Sequence, residues 1–190
     1  MTTAALKIHP LSPARRADFM RFFDGEAFSD NPKWSSCYCQ CFYEDHSKTH
    51  WAGRTAVENR VCAGERIAGN RMQGLLAYRD GKVVGWCNAA PRRLLHSLDP
   101  EPIEHPEQVG TILCFLVLPS ARGQGIATAL LSAACRHLKA QGLLLAEANP
   151  RPSAEGTAAN HFGPLAMYLA AGFEMRRTDT DGSVWVSKAL

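Results

Sequence analysis

The chain has no long apolar run. Nowhere in its 190 residues is there the stretch of roughly eighteen apolar residues that a membrane-spanning helix needs, so no membrane role is expected. The opening MTTAALKIHP lacks the apolar core of a secretory signal, and the expected compartment is the cytoplasm. Charge of one sign is also missing. The 21 Lys and Arg against 18 Asp and Glu leave a net +3 with the signs interspersed, so there is no basic stripe and nucleic acid is not an expected partner. There is no internal repeat and no low-complexity tract, and the length suits one domain over 1–190 with a sizeable core. No Gly-Lys is followed by Ser or Thr at a glycine loop, which removes an ATP or GTP loop, where lysine reaches phosphate and the hydroxyl holds magnesium.

Cysteine is not scarce. There are seven, an odd number, and none stand as Cys-x-x-Cys. Cys62, Cys87, Cys114 and Cys135 lie in apolar or helical settings and read as buried thiols of a reducing compartment. Cys37, Cys39 and Cys41 alternate inside Trp34 to Tyr43, the oddest local composition in the chain, within an irregular segment at about 29–50. If extended, this run puts three thiols on one face and Tyr38, Gln40 and Phe42 on the other. His46 or His50 could complete a zinc site, but the alternating spacing is tighter than the usual two to four residues between paired ligands, and no metal is expected.

The remaining pattern is a mixed one. Leu6 to His9 suits a short strand. Ser12-Pro13 starts a helix that reaches Asp24 before Gly25. A second helix is expected from about Arg54 to Ala68. Leu75 to Arg79 and Lys82 to Ala90 flank Asp80-Gly81 as a tight hairpin. Residues 91–109 read as loop. Thr111 to Leu118 is a nearly continuous apolar strand, expected to be covered on both faces, and a helix follows from about Gln124 to Ala140. Leu143 to Ala148 is another buried strand. A proline-containing loop leads to a helix from Pro164 to Ala171, closed by Gly172. Phe173 to Arg177 and Val184 to Lys188 close the chain as a hairpin around Asp181-Gly182. This order predicts an α/β (α+β) fold, a central mixed sheet with helices on both faces.

The most informative segment is Phe115 to Cys135, a strand into Pro119, then Arg122-Gly123-Gln124-Gly125-Ile126-Ala127 and an amphipathic helix. Two close glycines leave backbone N–H groups open at a helix start, a cradle for anionic oxygens, with the positive charge of Arg122 beside it. A glycine turn without a ligand is one alternative. A dinucleotide site is another: Gly123 and Gly125 supply its first two glycines and Glu147 falls about twenty residues on, but Thr128 stands where a third small residue should be.

This segment resembles the acyl-CoA motif of the GNAT superfamily, the Gcn5-related N-acetyltransferases. Arg122, Gly125 and Ala127 match the motif, approached through Val117 and Pro119. Tyr168-Leu169-Ala170-Ala171-Gly172-Phe173 matches the family's tyrosine helix and following Gly-Phe. The resemblance covers about 70–190; where the family often has asparagine before the tyrosine, this chain has His161, with Asn160 beside it. It implies acetyl-CoA as co-substrate, bound by Leu116, Val117 and Leu118 and by Arg122 to Ala127, with an amine attacking the thioester directly. Tyr168 is the implied general acid. Glu147, at a strand end, and His161 are candidates for the general base. Trp34, Tyr38 and Phe42 are expected to border the acceptor. The charge balance favours a small-molecule amine, a peptide amine stays open, and a homodimer is expected only by analogy. A CoA-binding module without turnover and an NAD-binding oxidoreductase are the competing functions.

Overall fold

The computed structural model describes residues 5–101, 103–151 and 158–190. Its strands are β1 (Lys7–Pro10), β2 (Leu75–Arg79), β3 (Lys82–Pro91), β4 (Val109–Val117), β5 (Leu145–Ala148), β6 (Glu174–Thr178) and β7 (Val184–Ala189). They form one sheet in the order β1-β2-β3-β4-β5-β7-β6. Every neighbouring pair is antiparallel except β4–β5. That single parallel pair is joined by α3 (Ile126–Ala140), as a parallel connection requires. The NAD reading needed a parallel mononucleotide fold before the glycine loop. An antiparallel meander, β1 to β4, stands there instead.

Local chemistry sets the helix ends. α2 (Ala56–Ala68) starts one residue after Thr55, whose hydroxyl accepts the Glu58 N–H at 3.2 Å while Glu58 accepts the Thr55 N–H at 2.8 Å. This reciprocal cap satisfies two donors that a helix start otherwise leaves open. α1 (Arg16–Asp24) is preceded by a 3-10 turn at Pro13–Arg15, so the expected proline start is a tighter turn leading into the helix. α3 begins at Ile126 because Gly125, at φ 74°, is left-handed and cannot be helical. α4 (Leu165–Ala170) is short. Leu143 and Leu144 stay outside β5. The proline-containing loop expected after β5 lies, over 152–157, outside the described residues.

Side chains alternate across the sheet. Leu75, Ala77, Cys87, Ala89 and Ile112 pack under α3 and α4 with Leu130, Ala134 and Tyr168. Leu76, Trp86, Ala90 and Leu113 pack under α1 and α2 with Phe19, Phe23, Ala63 and Ile67. Each fully buried large side chain here contributes roughly 1.5–3 kcal/mol, so the two faces hold the sheet from both sides. No helix among the described residues is long and apolar enough to cross a membrane.

Candidate active site

The alternation breaks in the middle of the sheet, in β4. Ala89 pairs with Ile112 and Cys87 with Phe115, so Leu113 and Cys114 together oppose Asn88. The extra residue is a β-bulge, and it turns two consecutive side chains toward the α1/α2 face. β5 pairs with β4 only from Val109 to Ile112. Beyond the bulge, Phe115 to Val117 keep their β3 neighbours, while the β5 chain diverges and Arg151 bridges to Pro164. The strands therefore open like a wedge.

At the mouth of the wedge lies the glycine loop. Gly123 (φ 73°) and Gly125 (φ 74°) are both left-handed, and a Cβ added to either would meet no atom within 4 Å. Their glycine identity thus follows from backbone conformation, and the space before them is open. No side chain caps the α3 start. The first-turn N–H groups there point outward and the helix dipole favours an anion. Arg122 differs from expectation. Its Nε donates to the Val117 carbonyl at 3.1 Å and both Nη atoms reach the carboxylate of Asp30, one at 3.2 Å. The charge is held against an acid from the far segment.

Two clefts meet along the bulged strand. A cleft of about 380 Å³ is lined by Phe115, Leu116, Val117, Arg122, Gly123 and Ala127 on one side, and by Asp30, Trp34, His161 and Gly163 on the other. A second, of about 870 Å³, is lined by Phe42, His46, Leu98, Leu113, Phe162 and Trp185, with Glu101, Arg151, Arg177, Asp179 and Asp181 among its charged groups. A row of rings separates them: Trp34 on His161 (4.8 Å between centroids), His161 on Phe162 (4.1 Å) and Phe162 on Phe42 (5.9 Å).

The expected cofactor residues divide. Leu116, Val117, Arg122, Gly123 and Ala127 line the smaller cleft. Gly125 shapes the loop. Leu118 turns away and donates its N–H to the Val84 carbonyl at 3.0 Å. Ile126 is buried against Gly85. Gln124 is spent outside, bonded to Arg79 and, at 3.2 Å, to the Ser120 carbonyl.

The acid–base candidates divide as well. Tyr168 is fully buried and lines neither cleft; its hydroxyl donates to the Phe162 carbonyl at 2.9 Å. Burial, with the Cys87 and Cys135 thiols nearby, pushes its phenol well above the ordinary value, so it stays protonated. His161 lies at the junction of the clefts. Glu147 does not. It pairs with Arg92 in the sheet and accepts the Thr111 hydroxyl at 2.8 Å, both partners buried. Thr111 is its register partner, and Phe115 lies four strand residues further on, about 13 Å away. The apolar strand end placed Glu147 well in burial but not in reach.

The cysteine segment corrects another expectation. It is not extended: Tyr38 (φ 43°) and Cys39 (φ 57°) are left-handed and reverse the chain. The expected two-faced alternation is lost, and Tyr38, Cys39 and Gln40 are buried together. Tyr38 therefore lines neither cleft. Its ring stacks on Phe23 and its hydroxyl donates to Asp24 at 2.7 Å. Burial and that carboxylate push the phenol up to about 12. Phe42 reaches the larger cleft and Trp34 the smaller one. The Cys39 sulfur accepts N–H groups from Asn88 (3.3 Å) and Trp86 (3.4 Å). Burial opposes its thiolate, but hydrogen bonds from Cys114, Asn88 and Trp86 outweigh it and bring the thiol below its ordinary value. Burial first, then Cys39, pushes Cys37 up to about 12. Among the described residues no three His, Cys, Asp or Glu side chains group to hold a metal.

Sequence reasoning missed Asp30 as the partner of Arg122, and missed His46, Glu101, Arg151, Arg177, Asp179 and Trp185 as lining of the larger cleft. Only three-dimensional convergence marks them.

The acetyltransferase (GNAT) family pattern matches residues 18–163. The chain belongs to this family. Solved GNAT folds align over nearly the whole length. The PaiA N-acetyltransferase of Thermoplasma acidophilum, in complex with coenzyme A, is 16% identical, with TM-score 0.58 over 98% of this chain and 99% of that one. The phosphinothricin acetyltransferase of Sinorhizobium meliloti, in complex with acetyl-CoA, is 20% identical, with TM-score 0.56 over 100% and 89%. A ribosomal-protein-alanine N-acetyltransferase of Brucella melitensis is 20% identical, with TM-score 0.53 over 97% and 99%. No curated protein sequence matches the chain. At such identities the likeness establishes the fold, and the expected GNAT architecture is the one observed.

Proposed function

We propose that this GNAT chain is an acetyl-CoA-dependent N-acetyltransferase acting on a small-molecule amine. The observation that carries the reading is the wedge between β4 and β5, with the open glycine loop at its mouth and two clefts meeting at Leu113–Phe115. The loop fits a pyrophosphate: left-handed glycines, no obstructing Cβ and an uncapped helix start converge there. Acetyl-CoA, when bound, supplies the acetyl group as an activated thioester.

The chain's own residues do the rest. Amides at Gly123 and the α3 start hold phosphate oxygens. The open edge of β4 from Phe115 to Val117 offers main-chain groups to an extended pantetheine arm. An N–H fixed on that edge stabilises the oxygen that gains charge as an amine attacks. His161, beside the junction, takes the ammonium proton at a ring nitrogen. Tyr168 holds a proton at Oη and is the proton source at the cofactor end once it releases the Phe162 carbonyl. Glu147 serves the sheet and has no part in proton transfer.

The larger cleft takes the acceptor. Phe42, Leu98, Phe162 and Trp185 wall it, and Glu101, Asp179 and Asp181 outnumber Arg151 and Arg177, which draws a cationic amine in. A second reading, a CoA-binding module without turnover, is favoured by Tyr168, whose hydroxyl is already bonded.

Calorimetry with acetyl-CoA, CoA and NAD tests the first half, and an amine screen by thiol release the second. Micromolar acetyl-CoA affinity without NAD binding, and thiol release with one class of amine, is the expected result. Binding without release for any amine supports the module. No binding of CoA refutes the reading.

A further inference from the structure

The Asp30–Arg122 pair joins parts of the chain 92 residues apart. Asp30 stands on an exposed strap, 29–35, that crosses the smaller cleft. Both ends of the strap are fixed. Ala27 and Phe28 are buried in the α1/α2 core, and the Ser36 carbonyl accepts the Asn59 side-chain amide at 2.9 Å. Between these anchors, contacts among the described residues tie the strap to the cleft, Asp30 on Arg122 and Trp34 on His161 among them. Both lie over the space assigned above to the cofactor.

Among the described residues Arg122 is the one Lys or Arg lining that cleft, and Asp30 occupies its fork. A diphosphate presents the same oxygen geometry with more charge, and a guanidinium fork accepts either. The two anions compete for one cation. We propose that Asp30 is a latch: it holds Arg122 until the phosphates of CoA take the guanidinium, and its release frees the strap and lifts Trp34 from His161. Cofactor arrival at one cleft thereby reaches the ring row that borders the other. The inference rests on the CoA reading above.

The test compares CoA and pantetheine, which lacks the phosphates, on the full chain. Competition has a definite sign. Asp30→Asn frees Arg122, so CoA binds about two- to fivefold tighter, the upper part of what an exposed ion pair supplies; pantetheine affinity does not change. Asp30→Glu, which keeps the charge, restores most of the wild-type affinity. High salt shrinks the difference. Independently of any Asp30 variant, CoA raises acrylamide quenching of Trp34 in the wild-type chain, read as the difference between it and Trp34→Phe. Asp30→Asn affinity that is unchanged or weaker overturns the latch, because Asp30 then orients Arg122 rather than competing for it. Unchanged Trp34 quenching on CoA saturation overturns it too. A wild-type chain that binds no CoA is a different failure: it removes the cofactor reading itself, and the latch with it.

Discussion

Glu147 separates a structural carboxylate from a catalytic one. Its side chain is 8% exposed and that of Arg92 5%. Arg92 also donates to the Leu98 carbonyl at 2.7 Å and the Glu101 carbonyl at 3.1 Å. One guanidinium thus ties β5 to the 92–101 loop, which carries Leu98 and Glu101 into the larger cleft. Glu147→Ala leaves that charge buried without its counterion, a loss of about 3–5 kcal/mol. For a domain of this size each kcal/mol moves the melting temperature by roughly 2–4 °C, so a fall of about 6–20 °C is expected. Glu147→Gln keeps an acceptor for Thr111 but loses the charge, and falls between Ala and wild type. Replacing Arg92 and Glu147 together by Met restores much of the loss, since the cost lies in the orphaned partner. Thermal melts of the variants give the stability, and pH–rate profiles of Glu147→Gln give the chemistry. The profile should keep its wild-type shape. If Glu147→Gln melts like wild type yet loses a hundredfold or more in rate along with the acidic limb of the profile, the ion-pair argument fails and Glu147 is the base.

Tyr168→Phe removes the bond to Phe162, which costs about 1 kcal/mol of stability in any role; an acid role adds a fall in kcat of about 10²–10⁴ with CoA affinity kept, measured by steady-state kinetics and calorimetry. Gly125→Val puts a β-branched residue at φ 74° and covers the phosphate amides; CoA affinity should drop at least about tenfold, the equivalent of 1.4 kcal/mol, with circular dichroism unchanged. His161→Gln should remove the general-base limb of the pH–rate profile; an unchanged profile rules His161 out. Asp24 is held below its ordinary carboxylate value, first by the Arg60 hydrogen bond, against a smaller opposing effect of burial and with help from Tyr38. A lowered folded value means its stabilisation is complete above about pH 4 and is lost as pH falls through the lower value. Asp24→Asn should flatten the acid side of the melting-temperature profile.

The glycine loop proposed to hold the cofactor was legible because its demands are local. Left-handed backbone at 123 and 125 requires glycine, and both stand in one loop between an apolar strand and a patterned helix. The larger cleft, proposed to take the acceptor, is assembled from Phe42, Leu98, Arg151, Arg177 and Trp185 among others, which share no spacing and meet only in the folded chain. Tyr38 misled for a physical reason. The turn at Tyr38–Cys39 uses positive φ without Gly, Asn or Asp, so nothing in the local sequence announces the reversal that buries the ring. Glu147 misled differently: its burial was legible, but its partner Arg92 sits 55 positions away.

The bulge at Leu113–Cys114 works as a phase shifter. Every side chain after it points to the face opposite the one strict alternation would assign. Phe115 accordingly packs under α3 and α4, and Leu116 packs on the other face. Deleting one of the two bulge residues would restore the regular pleat and leave Phe115, Leu116 and Val117 opposite Cys87, Trp86 and Gly85 on their present faces, so the change would fall on the Leu113–Cys114 pair and the opening of the wedge.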